Sequence, residues 1–351
     1  MNRRFAVLLT LACAMLASSI VHSQSAPPYI TRWDDFQQGF TVGTPAARWF
    51  YFTAGSYVGD DGIINTDLFG LHVIPTGRNP NTGDPAFART IGQEHENGGL
   101  PGALDHVKWL AFMNHTASSG LPGFDAVPGQ TLSCDVVMGG HTLGTQFHPF
   151  GSHVIDANDD LRLAALAQVT IDFESYMVFD FFITNQHIYA YYERLPFGRT
   201  ATHNYAAFSF AIPVASYRPG DVHHLRIAYN RAAGVTRWLI DGLEVYRVDR
   251  IGRLIDRAHM TIDLGGTEED VAPRQLDCGM GTFTLLDGHR PSDIGLVRLS
   301  ESPYFNPALG EPVPENFTDN LSLYANRLFG QGATLNVHRY VVSSIPSFLD
   351  P

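Results

Sequence analysis

The fold is decided by residues 235–248, VTRWLIDGLEVYRV. Two runs rich in β-branched and aromatic residues flank the dipeptide Asp241-Gly242. Asp-Gly between two such runs indicates a tight β-hairpin, because Gly adopts positive φ at little cost. A further β-rich run, His223–Tyr229, precedes the hairpin and is separated from it by a short polar turn. We therefore predict a three-stranded antiparallel meander.

The rest of the chain repeats this pattern on a larger scale. Short β-rich runs are bounded by Gly, Pro, Asn and Asp, and helical periodicity is nearly absent, which is typical of a sandwich or barrel. We predict an all-β fold, an antiparallel jelly-roll β-sandwich. The expected strands are Gly70–Ile74, His106–Met113, Thr131–Met138, Leu161–Ile171, Tyr176–Ile183, His187–Glu193, Ala206–Val214, Val222–Tyr229, Val235–Ile240, Glu244–Val248, Thr282–Leu286 and Thr334–Val342.

The N-terminus predicts export. Met1–Arg4 is basic, Phe5–Ala17 is apolar, and small and polar residues follow up to Ser23. This is the layout of a secretory signal peptide, which we place at residues 1–23. Residues 24–351 are then expected to form one β-sandwich domain in a secreted or periplasmic protein. No later run is long and apolar enough for a membrane span.

The charge balance argues against two classes of partner. The formal net charge is −12, with 23 Lys and Arg against 35 Asp and Glu. Such a chain repels nucleic acid and anionic membrane surfaces, so neither is expected to bind. No phosphate-binding Gly-rich loop and no GxSxG motif occurs, and we expect no cofactor.

Two cysteines remain after signal removal, Cys134 and Cys278. In an oxidising compartment they could form one disulfide. Two buried free thiols would fit the strand-like surroundings equally well. Both alternatives stay open at this point.

Residues 177–183, MVFDFFI, predict a central strand that is buried on both faces. Asp180 interrupts this apolar run. A buried carboxyl must be paired or protonated, so Asp180 could be structural or catalytic.

Two resemblances follow from these segments. His224–Tyr229 followed by Thr236–Gly242 resembles the late strands of laminarinase-type glycoside hydrolases, which implies a concanavalin A-like fold. The chain as a whole also resembles an uncharacterised family of secreted bacterial proteins. The segments that carry this second resemblance are Asp105–Trp109, Met113–Thr116 and Asp277–Gly281.

The laminarinase resemblance implies a catalytic strand of the form Glu-x-Asp-x-Glu, and the matching segment is TIDFE, residues 170–174. The implied roles are acid/base for Glu174 and support for Asp172. Thr170 replaces the nucleophile, which disfavours retaining hydrolysis and leaves an inverting reaction open. Because side chains alternate along a strand, we expect these three on one face, the concave one. The alternative is a polar strand face in a solvated groove.

An aromatic strand supplies candidate substrate contacts. His187, Tyr189 and Tyr191 should share one face of it. Aromatic rings over a groove stack on the C–H faces of sugars, although such residues also favour strands for packing alone.

Three further candidates for substrate binding lie elsewhere. Gln93 and His95 belong to a dense polar cluster whose residue types suit a polysaccharide lyase. Trp109 is the third, although a core or edge position is the favoured explanation for a strand tryptophan.

The turn Gly265–Asp270 is rich in oxygen ligands. A structural Ca²⁺ ion there is the alternative to a solvated turn, because the spacing fits no EF-hand loop. No dedicated metal site is expected.

Three functional hypotheses remain. The first is a secreted, glycoside-hydrolase-like protein acting on an extracellular poly- or oligosaccharide in a concave groove. The second is a non-catalytic, lectin-like glycan-binding protein. The third is a lyase or isomerase acting on a small molecule.

Overall fold

The computed structural model describes residues 26–55, 57–90, 106–286 and 327–350. In these residues the chain forms two antiparallel sheets that pack face to face, with a few single-turn 3₁₀ helices between strands. The prediction of an all-β, antiparallel jelly-roll β-sandwich is confirmed. Within the described ranges, no helix is both long and apolar enough to cross a membrane.

The first sheet, called the back sheet, has the strand order β18-β17-β16-β11-β21-β6-β5, with β1 also pairing to β21. The predicted meander supplies three of its strands. Its members are β1 (Tyr29–Asp34), β5 (Ile63–Asp67), β6 (Gly70–Ile74), β11 (Gln130–Leu143), β16 (Val222–Asn230), β17 (Val235–Ile240), β18 (Leu243–Val248) and β21 (Gly332–Pro346).

The second sheet, called the groove sheet, has the order β19-β15-β14-β13-β12-β20-β9-β2, with β10 also pairing to β20. Two small hairpins, β3 (Thr53–Ala54) with β4 (Tyr57–Val58) and β7 (Gly77–Arg78) with β8 (Pro85–Ala86), lie outside both sheets. The members of the groove sheet are β2 (Trp49–Tyr51), β9 (Val107–Met113), β10 (Phe124–Asp125), β12 (Ala165–Ile171), β13 (Met177–Ile183), β14 (His187–Arg194), β15 (Phe208–Ser216), β19 (Met260–Asp263) and β20 (Gln275–Phe283).

The predicted Asp-Gly hairpin is confirmed. Ile240 pairs with Leu243 across the turn, and both Asp241 and Gly242 have positive φ, 52° and 84°. The Asp241 carboxylate accepts a hydrogen bond from the backbone N–H of His224 at 2.9 Å. This bond fixes the turn to the neighbouring strand β16.

The core between the sheets is rich in aromatic rings. Phe179 of β13 lies 6.2 Å from the ring of Tyr229 and 5.9 Å from that of Trp238, both on the back sheet. All seven residues of β13 are buried, and the strand lies between β12 and β14. The prediction of a central strand buried on both faces is therefore confirmed.

A disulfide joins Cys134 to Cys278, with the two Cα atoms 5.9 Å apart. Cys134 lies on β11 of the back sheet and Cys278 on β20 of the groove sheet. Both residues belong to the core, at 1% and 0% exposure. The bond therefore links the two sheets through the middle of the sandwich.

The expected strand Thr282–Leu286 is wrong in its bounds, because the strand is β20 (Gln275–Phe283). Gly279 and Gly281 lie inside this strand. In the structure they allow β9 to approach closely: a Cβ on Gly279 would lie 2.7 Å from the Phe112 ring, and one on Gly281 would lie 2.6 Å from the Trp109 carbonyl oxygen. These glycines therefore serve packing within the sheet.

We expect the double variant Cys134→Ala/Cys278→Ala to lower the free energy of unfolding by about 3–5 kcal/mol. The bond closes a loop across a sequence separation of 144 residues, and a loop of this length strongly restricts the unfolded chain. Urea unfolding followed by circular dichroism measures the change. Adding a reductant should move the native protein to the same midpoint and leave the variant unaffected; equal midpoints without reductant would contradict the prediction.

Candidate functional site

A groove with a volume of about 500 Å³ runs over the outer face of the groove sheet. Alternation along β12 directs Val169 and Ile171 into it, while Leu166 packs into the core between the sheets. Phe112 of β9 and Phe182 of β13 also line the groove. Its walls are therefore largely apolar.

Four polar side chains form a strip across three adjacent strands of this groove. They are Asp180 on β13, Tyr191 and Glu193 on β14, and Ser209 on β15. Asp180 lies opposite Tyr191 in the ladder, and Glu193 lies opposite Ser209. The Ser209 hydroxyl donates a hydrogen bond to the Glu193 carboxylate. We call these four residues the polar strip.

Asp180 lies where the ladder between β12 and β13 opens. Backbone pairing runs from Leu166↔Ile183 to Gln168↔Phe181 and resumes in the same register at Ile171↔Val178, with no pairs between.

Two backbone groups beside this opening bond to partners outside the ladder. The Thr170 N–H donates to the Asp180 carboxyl at 2.8 Å, and the indole N–H of Trp238 donates to the Asp180 carbonyl oxygen at 2.8 Å. Buried backbone groups must be paired, and these two bonds meet that need. The first also holds the Asp180 carboxyl in place at the groove, and the second holds the backbone of Asp180.

The surroundings of Asp180 favour its protonated form. Burial raises the pKa of its carboxyl well above the usual value, and the negative charge of Glu193 raises it further, while the Thr170 N–H bond opposes both. Burial also raises the pKa of Tyr191. Burial therefore favours the protonated form of Asp180, which lies beside a second carboxyl on the next strand. Such a pair can donate and accept protons on one bound ligand.

The structure corrects the expectation that residues 170, 172 and 174 face the concave side. Thr170 is fully buried and belongs to the other alternation of β12, which faces the core between the sheets. Asp172, at 1% exposure, stabilises the turn after β12 by accepting from the N–H groups of Glu174 and Ser175. Neither residue lines the groove.

Glu174 lies in that same turn, outside the groove lining. Its carboxylate accepts two hydrogen bonds from the Arg274 guanidinium, at 2.6 and 2.8 Å. These bonds hold the pKa of Glu174 below its usual value. An ion-paired acid of lowered pKa is a poor proton donor, so this position does not suit the acid/base role that the resemblance implied.

Of the aromatic strand, Tyr191 lines the groove, whereas Tyr189 and His187 lie further along β14 and outside the groove lining. His187 Nδ1 is 2.7 Å from the Asp159 carboxylate. Burial and the negative charge of Asp159 raise the pKa of Tyr189. The structure therefore brings one of the three predicted contacts to the carboxyl pair.

Trp109, a candidate substrate contact in the sequence, does not line the groove. Its side chain is fully buried in the core between the sheets, with its ring 5.8 Å from that of Phe40. Gln93 and His95 lie outside the described residues.

In the turn Gly265–Asp270, two of the carboxylates that a Ca²⁺ ion would need form ion pairs with arginine side chains. Glu269 accepts from Arg194 at 2.7 Å, and Asp270 accepts from Arg253 at 2.8 Å. Within the part of the chain that the structure describes, no group of three or more His, Cys, Asp or Glu side chains could hold a metal ion.

Of the four residues of the polar strip, Asp180 and Tyr191 were candidates from the sequence, whereas Glu193 and Ser209 were not. Glu193 carried a usable signal, because it follows Tyr191 by two residues and so shares its face. Ser209 carried none, since its role depends on the pairing of β14 with β15.

A model of a protein family matches residues 33–346, nearly the whole chain, and the family is described as one of unknown function, DUF6081. The chain belongs to this family. A viral relative, uncharacterized protein L829 of Acanthamoeba polyphaga mimivirus, is 29% identical over 294 residues. That alignment spans 67% of this chain and 62% of the relative, so the chain covers less than two thirds of the relative's length.

Several solved structures with a similar arrangement belong to carbohydrate-active enzymes. An endo-1,3-β-glucanase from Streptomyces sioyaensis is 14% identical with a TM-score of 0.42, covering 92% of this chain and 99% of that chain. The κ-carrageenase of Pseudoalteromonas carrageenovora is 10% identical with a TM-score of 0.35, covering 93% and 99%. An alginate lyase from Pseudomonas aeruginosa is 8% identical with a TM-score of 0.34, covering 80% and 84%. At TM-scores this low, function has to be argued from the residues of this chain.

We expect Asp180→Asn to stabilise the protein at pH 8 and to change its stability little at pH 4. The folded-state pKa of Asp180 lies above the unfolded value, so the free energy of unfolding falls as pH rises from the ordinary aspartate range toward the raised pKa. Asparagine removes this loss, and its carbonyl oxygen can still accept from the Thr170 N–H. Thermal unfolding at both pH values measures the difference.

The exposed Asp249→Asn is the control for this prediction and should show no such pH dependence. A destabilisation by Asp180→Asn that is larger at pH 8 than at pH 4 would contradict it.

Proposed function

We propose that this protein is an acid/base enzyme acting on a carbohydrate ligand bound in the groove, with Asp180 and Glu193 as its two carboxyl groups. The observation that carries the proposal is the presence of both carboxyls on adjacent strands facing one groove, where burial raises the pKa of Asp180. Paired carboxyls of unlike protonation are the usual machinery for breaking a glycosidic bond.

The two roles follow from the surroundings of each group. Asp180 donates its proton to the leaving oxygen, because burial raises its pKa and favours its protonated form. Glu193 acts as the base or nucleophile, held in place by the Ser209 hydroxyl. The two residues are diagonal neighbours across β13 and β14, a spacing of roughly 7–8 Å between backbones, so one bound ligand can reach both.

Aromatic rings in the groove support a carbohydrate ligand. Phe112, Phe173, Tyr176, Phe182 and Tyr191 all line it. Sugar rings present C–H faces that pack on aromatic side chains. Tyr191 keeps the substrate-contact role expected from the sequence, as part of this proposal.

We also propose that the protein works outside the cytoplasm, in the secreted or periplasmic space. The disulfide between Cys134 and Cys278 supports this, since such bonds persist in oxidising compartments. The signal-like segment 1–23 points the same way.

One observation favours a second candidate, an enzyme for a small molecule that is not a sugar. The groove walls contributed by β9, β12 and β20 are apolar, as expected for a site that binds a small hydrophobic ligand. The same carboxyl pair would then move a proton on that ligand, as a lyase or isomerase does.

We expect Asp180→Asn and Glu193→Gln each to lower turnover by roughly 100- to 10,000-fold, the usual contribution of a catalytic acid or base. The measurement is the release of new reducing ends from a panel of glycans and glycosides, with binding recorded in parallel. Glu244→Gln, on the back sheet, is the matched control and should retain full activity.

Glu174→Gln separates this assignment from the one that the laminarinase resemblance implied. Loss of turnover in Glu174→Gln together with full turnover in Glu193→Gln would overturn the present proposal. Binding without turnover by the native protein would instead support a lectin-like function, and no response to any sugar would favour the second candidate.

A further inference from the structure

The groove is divided along its length into two chemically different sides. One side comes from β9, β12 and β20 and presents hydrocarbon only; its members are Val107, Leu110, Phe112, Val169, Ile171 and Phe283. The other side, on β13, β14 and β15, carries the polar strip together with the apolar side chains of Val178 and Phe182. A ligand that fills the groove therefore has to present an apolar part to one side and hydrogen-bonding groups to the other.

The charges on the groove disfavour an anionic ligand. Glu193 is an acid, and Arg194 and His106 are the only basic residues among the described residues of the lining. The charge of the Arg194 guanidinium is compensated by Glu269, to which it bonds at 2.7 Å, and the group lies 3.7 Å from the centre of the Tyr205 ring, while its Nη1 has no hydrogen-bond partner among the residues that the structure describes. Sugar carboxylates or sulfates would thus meet the Glu193 carboxylate beside an arginine whose charge Glu269 already balances.

The apolar side also disfavours an unsubstituted oligosaccharide. Each sugar ring carries several hydroxyl groups, and a hydroxyl buried against hydrocarbon without a partner costs roughly 1–3 kcal/mol. The volume of about 500 Å³ fits one small ligand and lies within the range of sites for small molecules, roughly 300–1,000 Å³.

We infer that the groove takes an uncharged glycoside of an apolar alcohol, with the sugar on the polar strip and the apolar aglycone against β9, β12 and β20. This inference rests on the proposed function for its chemistry. The bond between sugar and aglycone then lies beside the carboxyl pair. Asp180 gives its proton to the departing alcohol oxygen as the glycosidic C–O bond breaks. Water adds to the anomeric carbon and loses its proton to Glu193, and exchange with solvent restores both carboxyls.

Calorimetric titration of the purified protein tests the ligand class. The probes are the n-octyl glycosides of glucose, galactose and N-acetylglucosamine, used below their micelle-forming concentrations. They are compared with the corresponding free disaccharides and with oligomers of alginate and κ-carrageenan. We expect at least one octyl glycoside to bind about tenfold or more tightly than any free or anionic saccharide.

Val107→Thr is the informative variant, because it replaces a methyl group of the apolar side by a hydroxyl of nearly the same shape. It should weaken octyl glycoside binding roughly tenfold. Val222→Thr, at an exposed position on the back sheet, is the matched control and should leave binding unchanged. Displacement of the neutral dye Nile red from the native protein by the same glycosides gives a measurement that needs no variant.

Three results would overturn the inference: tighter binding of an anionic oligomer, equal binding of free disaccharides and octyl glycosides, or failure of every probe, Nile red included, to bind. Failure of the proposed function has a different signature. Octyl glycosides would bind, with the Val107→Thr effect, and neither octanol nor free sugar would be released.

Discussion

The site depends on an opening in the ladder between β12 and β13. At Thr170 the backbone N–H leaves the sheet and binds the Asp180 carboxyl, while the Asp180 carbonyl oxygen turns to the Trp238 indole on the other sheet. Both bonds are buried, where an unpaired backbone group costs most. The backbone of the central strand, the aromatic core and the carboxyl in the groove are therefore fixed by one local arrangement.

This arrangement explains why an acid occupies a strand of otherwise apolar residues. Burial opposes the charge of Asp180 and the nearby Glu193 opposes it further, so ionising this carboxyl would cost stability. The sandwich tolerates that cost because it has other sources of stability. The disulfide between Cys134 and Cys278 and the aromatic packing around Phe179 both tie the two sheets together.

Much of the fold was predictable from the sequence, because the strands and turns follow from short local patterns of residue types. Residues 235–248 showed their hairpin directly, and the apolar run around Asp180 showed its burial. The face of β12 was not predictable, since a shift of one residue exchanges the two faces of a strand. Alternation correctly grouped Thr170 with Asp172, but only the packing of Leu166 toward the back sheet shows that this group faces the core. Ser209 became visible only through its pairing with Glu193 across two strands.

The open ladder also restricts what can replace Asp180. A side chain there has to accept a hydrogen bond from Thr170 N–H at short range, which asparagine can do and alanine, leucine or lysine cannot. Other members of the family can therefore be sorted by a single column of their sequences. Aspartate at this position would mark chains that keep the acid. Asparagine would mark chains that keep the hydrogen bond from the Thr170 N–H but have lost the acid.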